Sequence, residues 1–82
     1  MNLYYISQSY NNDYETYSDA VVCAPDAETA RNMDPSVNGS LMDWKNAGGA
    51  WCNKPSQVVV EHIGIANDGT TQSVICASFH AG

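Results

Sequence analysis

Positive charge is what this sequence has least of. Only Arg31, Lys45 and Lys54 stand against nine acidic residues, for a net charge of −6. Nucleic-acid binding takes most of its affinity from Lys and Arg neutralising phosphates. Three scattered cations build no basic patch, so direct binding of DNA or RNA is not expected. Charge of either sign is scarce, at 15% of residues against about 25% in typical globular domains. Long apolar runs are missing too, and none approaches the ~18 residues of a membrane span. The opening Met1-Asn2-Leu3-Tyr4-Tyr5-Ile6 lacks the basic start and small-residue cleavage site of a secretory signal. Cysteine pairing is also wanting. Cys23, Cys52 and Cys76 are odd in number and have no paired spacing, as reduced intracellular thiols do. The expected setting is a cytoplasm, where the sequon at Asn38-Gly39-Ser40 has no consequence.

The chemistry of catalysis is equally thin. Cys23, Cys52, Cys76, His62 and His80 are zinc-type ligands, but no C-x-x-C or H-x-x-x-H spacing lets neighbours share one ion. Cys23 and Cys76 fall inside apolar runs, where a thiol acts as a small hydrophobe. Cys76 and His80 share one strand face but stand roughly 13 Å apart at ~3.3 Å per residue, too far to pair. Cys52, beside Trp51, is the best remaining thiol, and sequence shows no base next to it. His62 and His80 titrate in the range of pH sensors, though packed histidines are the commoner case. Gly48-Gly49 has neither the flanking strand nor the lysine of a phosphate loop. The expectation is a protein with no enzymatic activity, no metal and no cofactor.

What is present is a sequence for a single domain over residues 1–82, 44% hydrophobic with five tyrosines. Leu3–Gln8 is a β-rich run, with Leu3, Tyr5 and Ser7 on one face and Tyr4, Ile6 and Gln8 on the other. Ser9–Ser18 follows as a hairpin connection or irregular arm around the turn formers Asn11-Asn12-Asp13. Ala20–Ala24 is apolar on both faces and reads as a central strand. Pro25 ends it, Asp26 suits a helix N-cap, Ala27 and Ala30 form a small apolar face, and Pro35 forces the helix to stop by Asp34. Ser36–Gln57 admits two readings. Ser40 with Asp43 resembles a capping box for one turn through Leu41, Met42 and Trp44, ended by Gly48-Gly49. Alternatively the segment is a long ordered loop pinned to the core by Trp44 and Trp51. Val58–Ala66 is the strongest β signal, Asn67-Asp68-Gly69 is a turn, and Ser73–Phe79 is the last strand, expected as the antiparallel mate of the third. The order ββαββ predicts an α+β fold: a four-stranded, mostly antiparallel sheet with one short helix on one face and a long ordered Trp-containing loop.

The runs DAVVCAPDAETARNMDP and SVICASFHAG carry a resemblance. With Tyr14, Tyr17, Val21, Val22, Ala24, Glu28, Ala30, Arg31, Pro35, Phe79, Ala81 and Gly82, they resemble small uncharacterised proteins of bacteriophages and prophages over about half of the chain. The resemblance implies a phage setting and supplies no catalytic residue.

Three functions follow as expectations. The first is a phage-encoded accessory protein that binds a host protein or complex without catalysis, as anti-CRISPR proteins do. Its candidate contact residues are Tyr10, Asp13, Tyr14, Glu15 and Tyr17 of the acidic tyrosine segment, with Trp44 and Trp51. Tyrosine and tryptophan give large contact area at low entropic cost. The second is a sponge for a signalling nucleotide, with an aromatic ring on the base and Arg31 or a lysine on phosphate. The third is a self-assembling virion component, joined through a sheet face that the helix leaves open.

Overall fold

The computed structural model describes residues 1–81. Gly82, the last position of the C-terminal resemblance, lies outside them. The chain forms β1 (Asn2–Ser7), β2 (Thr16–Ala24), the helix α1 (Ala27–Arg31), a single 3-10 turn (Pro55–Gln57), β3 (Val59–Ile65) and β4 (Ser73–His80). The strands make one four-stranded sheet in the spatial order β3-β1-β2-β4, and each neighbouring pair is antiparallel. The α+β architecture is therefore the one the element order predicts.

β1 and β2 are the apolar centre. Their register sets Tyr4 against Val22 and Ile6 against Ala20, so these side chains share one face. Leu3, Tyr5, Val21 and Cys23 alternate to the other. The first face is the core, where Tyr4, Ile6, Ala20, Val22 and Ala24 join Ala30 of α1 and Met33, Trp51, Cys52 and Val58 of the following segment. Burying each of Ile6, Val22, Met33 and Trp51 contributes on the order of 1.5–3 kcal/mol. Five helical residues could not hold without this packing.

Helix and tryptophan segment thus cover the same face. The opposite face, with Leu3, Tyr5, Val21, Val59, Glu61 and Cys76, is left half-buried or exposed. Cys23 is the exception there, fully buried with its Sγ against Met1 Sδ.

Three expectations change. β3 and β4 are not mates: β3 pairs with β1 and β4 with β2, on opposite edges of the sheet. The Asn67–Thr70 turn does form, its Thr70 N–H donating to Asn67 O at 3.1 Å, but it carries the chain across the strand ends. The central β1–β2 hairpin offers two free edges, and each late strand takes one. Second, β2 starts at Thr16 rather than Ala20. Its first residues, Thr16-Tyr17-Ser18-Asp19, are too polar to read as a strand, and a bulge between Tyr17 and Asp19 interrupts their alternation. The helix keeps within its Asp34 limit, stopping at Arg31 with Asn32 as its cap. Third, no helical turn forms at Leu41–Trp44. Asp43 instead closes a local turn, accepting from Lys45 N–H and from the Asn46 side chain. The loop reading of residues 36–57 is the one realised. Trp44 Nε1–H donates to Asn32 Oδ1 at 3.0 Å, and Trp51 plugs the core.

One glycine of that loop has no substitute. Gly39 has φ +81°, and a Cβ there would stand 2.6 Å from the Gln72 carbonyl oxygen. Both the left-handed backbone and the close approach require its bare α-carbon.

Candidate functional site

The connection from β1 to β2 is built around Gln8. Alternation places Gln8 on the core face after Tyr4 and Ile6, and it is only 6% exposed. Its amide has no side-chain partner and addresses backbone alone. Nε2 donates to Asn11 O (2.8 Å) and Tyr17 O (2.9 Å), while Oε1 accepts from Tyr10 N–H (2.9 Å) and Asn11 N–H (2.8 Å). Buried polar groups are normally satisfied, and here satisfaction fixes a loop.

A second clamp comes from Asn11. Its Nδ2 reaches the carbonyls of Gly48 (3.0 Å), Gly49 (3.2 Å) and Trp51 (3.1 Å), tying the tyrosine loop to the tryptophan segment. Gly48-Gly49 therefore receives Asn11 instead of ending a helix. Thr16, buried, donates from Oγ1 to Asp13 O at 2.6 Å. Main-chain bonds from Glu15 N–H to His80 O and from Tyr17 N–H to Ala50 O finish the attachment. Glu15 is held at φ 61°, the left-handed region that a side-chain-bearing residue enters at a cost of about 1–2 kcal/mol.

On this fixed backbone the side chains of Tyr10 and Tyr14 are 70% and 79% exposed. Asp13 and Glu15 are exposed beside them. Tyr10, Asn11 and Asp13 also line a cleft of about 330 Å³ together with Trp51, Cys52 and Gln57.

The seven contact candidates therefore divide. Tyr10, Asp13, Tyr14 and Glu15 share the loop surface. Tyr17 is half-buried in β2 and packs on Phe79, with ring centroids 4.8 Å apart. Trp44 is half-buried on the core and bonded to Asn32. Trp51 is 1% exposed, so its ring is interior and out of a partner's reach. Its Nε1–H finds no acceptor among the described residues, and shape alone seats it. Sequence reasoning names Asn11 as a turn former, without its reach to residues 48–51, and does not single out Gln8 for this loop. The available signal was Gln8 itself, a polar side chain at a core-facing position of β1.

The other chemistries gain little from the geometry. Burial pushes the Cys52 thiol pKa up, and Sγ donates to Lys54 O at 3.6 Å, which makes a poor nucleophile. His62 lies against Tyr4 with ring centroids 5.3 Å apart. No cluster of three or more His, Cys, Asp or Glu able to hold a metal occurs among the described residues. A nucleotide would need an open ring face near a free cation. Trp51 offers no face, and Arg31 Nη1 is bonded to Val58 O. No helix among the described residues is long and apolar enough to cross a membrane. No known protein family, curated protein or solved structure matches the chain, so its function is read from this loop and sheet alone.

Proposed function

We propose that the chain is a small phage-encoded accessory protein that works in the bacterial cytoplasm by docking, without catalysis, on a basic surface of a host protein or complex. Interference with a bacterial defence complex is the concrete form of that role. One observation carries the reading: a loop fixed at its backbone by Gln8 and Asn11 presents Tyr10 and Tyr14 to solvent beside Asp13 and Glu15. Two exposed tyrosines on a rigid frame lose little entropy on docking. The carboxylates, with the net charge of −6, favour a cationic partner and speed its approach. Backbone held in a sparsely populated conformation at Glu15 fits a segment shaped for contact.

Affinity capture from host lysate tests this with the Tyr10→Ala/Tyr14→Ala double variant. Both side chains are exposed, so the variant should keep the fold and its Tm. The native chain is expected to retain a stoichiometric host protein at low salt and to release it as salt rises. The double variant should retain at most a tenth as much, since two anchoring aromatics at ~1–2 kcal/mol each exceed a tenfold change in affinity. Equal capture by the folded double variant, or no stoichiometric partner at all, would overturn the proposal.

A further inference from the structure

The cleft beside the tyrosine loop continues the docking surface inward. Tyr10 and Asp13, two of the four residues on that surface, line it together with Gly48, Asn53 and Gln57 of the tryptophan segment. Both contributing segments are fixed before anything enters. Asn11 Nδ2 holds the carbonyls of Gly48 and Gly49 at 3.0 and 3.2 Å, and Gln57 Oε1 accepts Asn53 N–H at 3.1 Å. A recess of about 330 Å³ corresponds to roughly ten waters at ~30 Å³ each. That is room for one long side chain and not for a strand or a helix. Charge then narrows the occupant. Asp13 is the only ionised residue lining the cleft, and no Lys, Arg or His lines it among the described residues. Asp13 joins the loop through its main chain: its N–H donates to Asn11 Oδ1 at 3.3 Å and its carbonyl accepts from Thr16 Oγ1 at 2.6 Å. Its carboxylate is left for a ligand. A phosphate or carboxylate ligand would meet that charge with no cation to offset it, whereas a cation is drawn in, and the net charge of −6 adds to the same field.

We infer that the cleft receives one arginine side chain of the basic partner, with the guanidinium on the Asp13 carboxylate and its plane against the Tyr10 ring. This rests on the docking role proposed above and adds which kind of partner residue enters. Arginine rather than lysine follows from the lining. Tyr10 is 70% exposed and offers a ring face on which a planar cation stacks. The Gly48 carbonyl keeps a second lone pair beyond the one Asn11 takes, and the Asn53 side chain carries another amide oxygen. Acceptors spread in this way suit the five donors of a rigid fork better than one compact ammonium. A guanidinium is also the more weakly hydrated cation, so it gives up less on leaving bulk water. The clamps at Gln8 and Asn11 mean that the recess does not have to form at the moment of docking.

Three capped amino acids test this in NMR titrations of the native chain: the N-acetyl amides of arginine, lysine and citrulline. Citrulline has the shape of arginine without its charge. The arginine probe is expected to shift the Gly48 and Asn53 amide signals saturably, with a millimolar Kd. Lysine should bind several-fold more weakly, and citrulline about tenfold more weakly. Asp13→Asn keeps both main-chain bonds of the residue, and it should weaken the arginine probe about tenfold, to near the affinity of citrulline. The absence of any saturable shift overturns the inference. So does lysine or citrulline binding as tightly as arginine, or a folded Asp13→Asn that binds arginine as the native chain does. If Asp13→Asn fails to fold, the comparison of arginine with citrulline on the native chain decides. Failure here is separable from failure of the docking role. A chain that captures its host protein through Tyr10 and Tyr14 yet ignores the arginine probe keeps the role and loses the cleft. One that binds arginine in this pattern but captures no host protein keeps the arginine site and loses the role.

Discussion

A single amide organises the candidate site. Gln8 holds four backbone groups of the next connection, and each such bond contributes about 1 kcal/mol net. Gln8→Ala is therefore expected to lower unfolding stability by about 2–4 kcal/mol in urea titration. It should also speed hydrogen exchange at the Tyr10 and Asn11 amides. Gln8→Glu keeps both acceptor contacts but turns a carboxylate oxygen toward Asn11 O and Tyr17 O, so most of the loss should persist. A Gln8→Ala variant within about 0.5 kcal/mol of native, the usual spread of surface substitutions, would dismiss Gln8 as the organiser. Much of this was legible in the residues: Tyr10, Asp13, Tyr14 and Glu15 gather on one loop as their spacing implied. Trp51 was not, because tryptophan serves cores and interfaces equally well and only the packing of Met33, Ala30 and Tyr4 around it decides.

Among the elements, the helix is the most faithful to its sequence. Asp26 caps it, accepting Thr29 N–H on Oδ1 at 2.7 Å, and that bond lowers the Asp26 pKa. A depressed carboxylate pKa gives stability that is complete above the unfolded value of about 3.9 and fades as pH falls through the folded one. The acid limb of Tm against pH should therefore be shallower in Asp26→Asn, whose neutral amide oxygen keeps the cap without titrating. Asp26→Ala should lower Tm at neutral pH as well. Identical acid limbs for native and Asp26→Asn would mean that the cap does not contribute. Strand identity was readable wherever alternation was apolar, as in β1 and the second half of β2. Strand partnership was not. The Asp68-Gly69 dipeptide makes its turn, but a local turn cannot say which edge of a distant hairpin is free.

For the molecule as a whole, the excess of acid is a diffuse load on the folded state. Added salt shortens the Debye length from about 30 Å at 0.01 M to about 8 Å at 0.15 M and screens that self-repulsion. Tm should rise by a few degrees over this range, measured at a protein concentration low enough to keep the chain monomeric. A fall in Tm would show that local attractions outweigh the repulsion. Fold class followed from element order, since strands in pairs around one helix have few arrangements. What the order left open was which layers are covered. It took the chain's three-dimensional path to put Trp51, Met33 and Ala30 on one face together and to leave Val21, Val59 and Cys76 on the other.

The clamp at Gln8 has a consequence for how readily this surface can change. It grips only main-chain atoms of Tyr10, Asn11 and Tyr17, so its hold on the loop is indifferent to the side chains at Ser9, Tyr10 and Tyr14. Those positions can drift under selection, or be randomised in a display library, while the frame beneath them stays put. A lineage that must keep pace with a changing opponent would find in such a loop an interchangeable tip.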